Sequence, residues 1–174
     1  MRRLLLLRHA KSDWSGSQPD HGRPLAARGR AAAPQLGHYM ARHGLVPDRV
    51  LCSTAVRARE TWELLVGAFD APPPVSFLDN LYDVDAKALL AVVKQTPADV
   101  HSLLLIGHNP GIEDLAALLI AAGDIETRQR LLEKFPTAAL AVIDFPLDDW
   151  AKLHPEAGRL DRFVTPRLLE EATD

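Results

Sequence analysis

The stretches LLLL at 4–7 and SLLLI at 102–106 constrain this chain more than any other feature. Neither alternates apolar with polar residues, and both are bounded by polar or charged side chains. A run of that length with no polar face has to be covered on both sides. That is the pattern of a central strand in a largely parallel sheet. Between and after these runs the pattern changes to helical spacing. Residues 25–43 place Leu36, Tyr39 and Met40 on one helical face, with Gly44 as a C-terminal stop. Pro34 inside that stretch is expected to kink the helix or delay its start, since an interior proline costs ~3 kcal/mol.

The remaining segments follow the same alternation. Residues 50–52 read as a strand, then Ser53 or Thr54 caps a helix to about Val66. Residues 70–74 form a turn, Val75–Leu78 a strand and Ala86–Lys94 a helix. Asn109 is the expected cap of a helix with Pro110 in its first turn, ending near Gly123. Residues 138–145 and 159–165 read as late strands, the second at a sheet edge. The apolar segment 145–150 fits either the core or an interface. Strand–helix alternation of this kind predicts an α/β fold with three layers, α/β/α, and a mostly parallel central sheet, in a single domain over residues 1–174. In such sheets the ligand site lies beyond the carboxyl ends of the strands.

Composition narrows the function. The chain has 174 residues and a net charge of −3. That balance argues against a nucleic-acid or anionic-membrane partner, which would want a basic excess. No run approaches the ~20 apolar residues of a membrane helix. Cys52 is the one cysteine, so no intrachain disulfide and no cysteine-based zinc cluster can form. A cytoplasmic location is the expectation. The histidines are scattered, with no His-x-x-x-His pair beside His9 or His108, so neither a metal nor a cofactor is expected.

Three segments share one arrangement. In LLLLRHA a strand delivers Arg8 and His9. In VLCSTAVRARET a strand leads to a helix with Arg57 and Arg59 in its first turns. In LLLIGHNPG a strand delivers Gly107 and His108 ahead of a capped helix. Each residue alone has an ordinary structural reading: Arg8 as a surface ion pair, His9 as a satisfied structural histidine, His108 as a polar turn residue, Arg59 as the i,i+4 partner of Glu63. Placed together at three strand ends, they converge on one crevice. Arg57 also opposes the helix dipole, which disfavours a cation near an N-terminus. An anion shared by the helix amides and the guanidinium would compensate. Two arginines and two histidines suit a phosphoryl group. The guanidinium fork matches phosphate oxygens, and a neutral imidazole is a competent nucleophile at neutral pH.

This ordered set resembles the histidine phosphatase superfamily, which includes the phosphoglycerate mutase-like enzymes. The family's opening Arg-His-Gly stands here as Arg8-His9-Ala10, its central segment as STAVRARET at 53–61, and its late histidine as His108 in IGHNPG. RHAKSDW followed by HGRPLAARGR is most similar to the SixA-type phosphohistidine phosphatases. The resemblance runs from Leu4 to about Ala122. It implies a phosphoglycerate mutase-like fold and a cofactor-independent phosphatase with a phosphohistidine intermediate. His9 matches the nucleophile, while Arg8, Arg57 and His108 match the phosphate pocket. Arg23, in the RPL segment, matches a position at the pocket rim.

The sequence departs from the family pattern in two places. Ala10 replaces glycine. The mutase-like branch has a glutamate after its third strand as general acid, whereas FLDNLYDVDAK here offers only Asp79, Asp83 and Asp85. These read first as turn and cap residues, with Asp83 a weak candidate proton donor. An alkoxide leaving group benefits from protonation by a general acid, whereas an imidazole leaves more readily. The expected substrate is therefore phosphohistidine on a phosphorelay or phosphotransfer protein. The alternatives are a small phosphorylated metabolite, such as a sugar phosphate or nucleotide, and a non-catalytic phosphate-binding module.

Overall fold

The computed structural model describes residues 1–173. Seven strands form one sheet: β1 (Arg2–Arg8), β2 (Arg49–Ser53), β3 (Val75–Leu78), β4 (Ser102–Gly107), β5 (Ile120–Gly123), β6 (Leu140–Phe145) and β7 (Gly158–Val164). Their spatial order is β3-β2-β4-β1-β6-β7-β5. All run parallel except β6, which is antiparallel to both β1 and β7. The helices are α1 (Ala27–Arg42), α2 (Val56–Val66), α3 (Ala86–Lys94), α4 (Gly111–Leu119), α5 (Ile125–Glu133) and α6 (Pro166–Thr173). This is the mostly parallel three-layer α/β/α arrangement expected from the alternation.

The run of leucines explains itself at the centre of the sheet. Leu4 and Leu6 pack on the face that carries α3 and α4, and Leu5 and Leu7 on the face that carries α1 and α2. All four are fully buried, each stabilising the fold by ~2 kcal/mol. The same period of two continues past the strand's end. Arg8 bonds the Phe135 carbonyl on the first face, and His9 meets Arg57 of α2 on the second.

Local expectations fared unevenly. Pro34 neither shortens α1 nor delays it, because the helix already begins at Ala27. Burial of Ala33, Leu36 and Met40 on that helix offsets the proline's cost. Gly44 stops the helix with φ +67°, and the Leu45 amide donates to the Met40 carbonyl at 2.8 Å. Neither Ser53 nor Thr54 caps α2. The residue at that position is Ala55, with no side-chain bond to the helix. Asn109 does accept from the Glu113 amide at 3.3 Å, but Pro110 rather than Asn109 sits at the N-cap of α4. Residues 120–123 are a strand, not the end of that helix, and α5 follows as an extra element. β7 lies between β6 and β5, so it is interior; β3 and β5 are the edges. Phe145 and Trp150 belong to the core.

Candidate active site

The carboxyl ends of β1, β2 and β4 open onto a cavity of about 310 Å³. Arg8, His9, Arg57 and His108 all line it, together with Arg23 and Asp83. The three strand ends therefore do converge. Arg59 does not join them, nor does it pair with Glu63. Its guanidinium lies 4.8 Å from the centre of the Phe77 ring.

His9 is held at two atoms. Its Nδ1 lies 2.7 Å from the Ala10 carbonyl oxygen. A carbonyl only accepts, so Nδ1 carries the ring proton and Nε2 keeps its lone pair. That lone pair accepts from Arg57 Nε at 3.3 Å. The backbone beneath is tied down by Thr61, whose hydroxyl accepts from the Ala10 amide at 3.0 Å and donates to the Arg57 carbonyl at 2.7 Å. One side chain thus fixes the end of β1 to the first turn of α2. Burial pushes the His9 pKa down to about 3, and His108, Arg57 and Arg8 add to the effect. His9 is therefore neutral at physiological pH.

The His108 ring centre is 5.0 Å from that of His9. Its Nε2 shares a hydrogen bond of 2.8 Å with the Ser53 hydroxyl. Burial, then the Arg57 charge, lower its pKa to about 4. Arg8 donates through Nη1 to the Phe135 carbonyl at 3.0 Å. Arg8 Nε and His108 Nδ1 are buried without a partner among the described residues.

The cation near the start of α2 is compensated from inside the protein. Arg57 donates through Nη1 to the Asp20 carbonyl at 2.7 Å and through Nη2 to the Asp20 carboxylate at 3.1 Å. The same carboxylate accepts from Arg23 Nε at 3.0 Å and from the Tyr82 hydroxyl at 2.5 Å. The Tyr82 hydroxyl first, and then the two guanidiniums, hold the Asp20 carboxyl well below the usual carboxylate range. The Asp20 bond pushes the Tyr82 hydroxyl up. Tyr82 also sets its ring edge-on to His108, 5.4 Å between centres.

Arg23 is buried at the rim, bonded to Ser12 Oγ at 2.7 Å. Its guanidinium lies 3.4 Å from the centre of the Trp14 ring, which is 70% exposed. The acids after β3 separate. Asp85 caps α3 through the Ala88 amide, and Asp79 accepts from the Thr54 hydroxyl at 2.6 Å. Asp83 is the one that reaches the cavity, exposed at its lip with φ +53°. Sequence reasoning missed Asp20, Tyr82 and Trp14. Trp14 and Tyr82 sit in loops and Asp20 opens a three-residue 3-10 turn, all too irregular or short for a periodicity to mark them; the spacing Asp20-x-x-Arg23 was the available signal.

Among the described residues, no group of three or more His, Cys, Asp or Glu side chains is placed to hold a metal ion. No helix among them is long and apolar enough to cross a membrane.

Residues 4–101 match the model of the histidine phosphatase superfamily, branch 1. Uncharacterized protein Rv1276c of Mycobacterium tuberculosis is 36% identical, over 92% of this chain and all of that protein. A solved structure from Nakamurella multipartitia, a candidate phosphohistidine phosphatase SixA, superimposes with TM-score 0.82 and 30% identity, over 95% of this chain and 96% of its own. A similar candidate from Agrobacterium tumefaciens gives TM-score 0.80 and 30% identity, over 95% of this chain and 98% of its own.

Proposed function

We propose that this chain, which belongs to the histidine phosphatase superfamily and is a phosphatase, acts as one domain that hydrolyses phosphohistidine on a protein. The observation that carries the reading is the Nδ1–H bond of His9 to the Ala10 carbonyl. It leaves the Nε2 lone pair in a cavity lined by guanidiniums, and that lone pair attacks phosphorus once Arg57 Nε, from which it accepts at 3.3 Å, turns to the phosphoryl oxygens. In the first step a bond forms between His9 Nε2 and phosphorus, and the bond from phosphorus to the substrate's imidazole nitrogen breaks. The leaving imidazole departs neutral once solvent has protonated its distal nitrogen. Arg8 and Arg57 face the charge on the transferred oxygens, and Arg8 Nε and His108 Nδ1 are free to donate to them. In the second step water attacks phosphorus, loses a proton to solvent and displaces His9. Because Nδ1 has kept its proton throughout, His9 leaves as a neutral imidazole and needs no acid. No metal or cofactor takes part in either step.

The substrate class follows from where acids are missing. Asp20 is ionised and occupied by three donors, so it cannot protonate a leaving alkoxide. An imidazole leaving group makes no such demand. The exposed Trp14 at the mouth, held flat by Arg23, suits a macromolecular surface better than a small metabolite. The similarity to the candidate phosphohistidine phosphatases of Nakamurella and Agrobacterium agrees with this reading. A second reading rests on Asp83 at the lip of the cavity. As a general acid it would serve a small phosphomonoester.

The deciding measurement is phosphate release in EDTA, comparing kcat/KM for a histidine-phosphorylated protein with that for a small alkyl phosphate. A strong preference for the phosphoprotein is expected. His9→Ala should abolish turnover together with the acid-labile phosphate on the enzyme; turnover that persists overturns the intermediate. Asp83→Asn should change either rate less than about threefold. A large loss confined to the alkyl phosphate would establish the second reading instead.

A further inference from the structure

A groove leaves the catalytic cavity and follows α1. Lys11 and Thr137 line both the cavity and a smaller hollow of about 130 Å³ beside it. Gln35 is shared between that hollow and a larger one of about 600 Å³. The α1 wall is one helical stripe, residues 28, 31, 32, 35, 38, 39 and 42, at the three- and four-residue spacing of a single face. From Arg28 to Arg42 it extends ~21 Å at the rise of an α-helix. The opposite wall is α6, through Pro166, Leu168, Leu169 and Ala172.

The larger hollow has a physical origin in the sheet. β5 pairs with β7 only as far as Leu160. Past that point the outer edge of β7 has no strand beside it, and residues 161–164 line the hollow instead.

Charge is distributed unevenly along this groove. Arg28, Arg42 and Arg130 line it and take part in none of the ion pairs among the described residues. Arg162 is neutralised by Asp161 at 2.8 Å. Apolar contact comes from Leu168, 37% exposed, and from the Tyr39 ring, whose centre lies 4.1 Å from that of His43 at a tilt of 33°. Cations outside the ion pairs among the described residues, beside apolar side chains and on a chain whose net charge is −3, complement a partner with carboxylates around an apolar patch.

We propose that this groove docks the acidic flank of the phosphorylated protein substrate, while its phosphohistidine enters the cavity past Lys11. The inference rests on the protein-substrate reading above. Its consequence is that substrate preference is set partly outside the cavity, ~20 Å along α1.

The test is the double variant Arg28→Glu/Arg42→Glu. Both side chains are exposed and neither touches the catalytic residues. Three probes are compared: an acidic protein phosphorylated on histidine with phosphoramidate, a short peptide carrying the same phosphohistidine, and p-nitrophenyl phosphate. For the phosphoprotein, KM should rise about tenfold with kcat unchanged, and the salt dependence of kcat/KM should flatten. The peptide and p-nitrophenyl phosphate should change less than twofold. Equal rates of variant and wild type on the phosphoprotein overturn the docking site while leaving the protein-substrate reading intact. An equal loss on all three probes overturns it too, since the change then reaches the cavity. If sedimentation shows a wild-type dimer that the variant dissociates, the groove belongs to a second copy of this chain and the proposal falls. A wild-type enzyme inactive on the phosphoprotein but active on p-nitrophenyl phosphate removes the protein-substrate reading itself, a distinct outcome.

Discussion

Acid should unfold this protein through its catalytic pocket before most carboxylates titrate. The folded pKa values of His9 and His108 are pushed down to about 3 and about 4, mainly by burial, from an ordinary 6.5. Protons therefore bind the unfolded chain first, and stability present above pH 6.5 falls as pH drops through it. Each unit below that value costs ~1.4 kcal/mol per imidazole. At pH 5 neither folded ring has protonated, so each histidine has cost ~2 kcal/mol and the pair ~4 kcal/mol. That is a large share of the ~5–15 kcal/mol that holds a domain folded. Asp20 acts in a lower window. Its depressed pKa contributes stability above the usual carboxylate range, lost only as pH falls into and below that range, so its contribution does not change between pH 7 and pH 5. Urea unfolding at pH 7, 6 and 5 measures the effect. His9→Asn/His108→Asn removes both proton acceptors from folded and unfolded states alike. The wild type should lose ~4 kcal/mol more than this variant over that range. Parallel losses in the two proteins would show that the rings titrate normally, and that the pocket does not hold them neutral.

Two further outcomes follow from the network around the pocket. Asp20→Asn removes the charge that faces Arg57 and Arg23 and leaves a single acceptor oxygen for three donors; kcat should fall ~10- to 100-fold, as expected when a positioned guanidinium is loosened, with KM for substrate little changed, and a kcat within twofold of wild type refutes the positioning role. Gly111→Ala would bring a methyl group to 2.5 Å from the Val84 carbonyl oxygen, displacing the loop that carries Tyr82 and Asp83; it should destabilise the protein by ~1–3 kcal/mol in urea unfolding, and an unchanged midpoint refutes the tight approach.

What could be read in the sequence was whatever the sheet enforces. Buried central strands have to be apolar throughout, so β1 and β4 stand out, and residues just beyond them have to lie at the strand ends. That logic placed Arg8, His9, Arg57 and His108 in one cavity. β5 and α5 escaped because they are peripheral. β5 is a four-residue edge strand, too short to show a period. α5 buries only Leu131, and its one signal is local: Asp124 accepts from the Thr127 amide at 3.0 Å. β7 was misplaced at an edge because its polar residues, Arg159, Asp161 and Arg162, suggest a strand with an open side, although β7 lies between β6 and β5. In the fold two of them form ion pairs around the sheet, Arg162 with Asp161 and Asp161 with Arg3. Pairing of this kind depends on distant partners, and no local pattern records it.

Asp20 escaped for the same reason, and it bears most directly on how the site works. The sequence required an anion opposite Arg57, and substrate phosphate was the expected one. The protein supplies a carboxylate of its own instead. Without it, Arg23 and Arg57 would stand near two neutral histidines with no ion-pair partner among the described residues. Such a pocket would fold under charge repulsion and bind any phosphate tightly, product included. Tight binding of substrate, transition state and product alike does not raise turnover. Asp20 offsets the charge in the empty state and, through Arg57 Nε, keeps the His9 lone pair aimed. In the proposed mechanism an incoming phosphoryl group shares Arg57 with this carboxylate. The interaction gained on binding is therefore smaller, and product is released more readily.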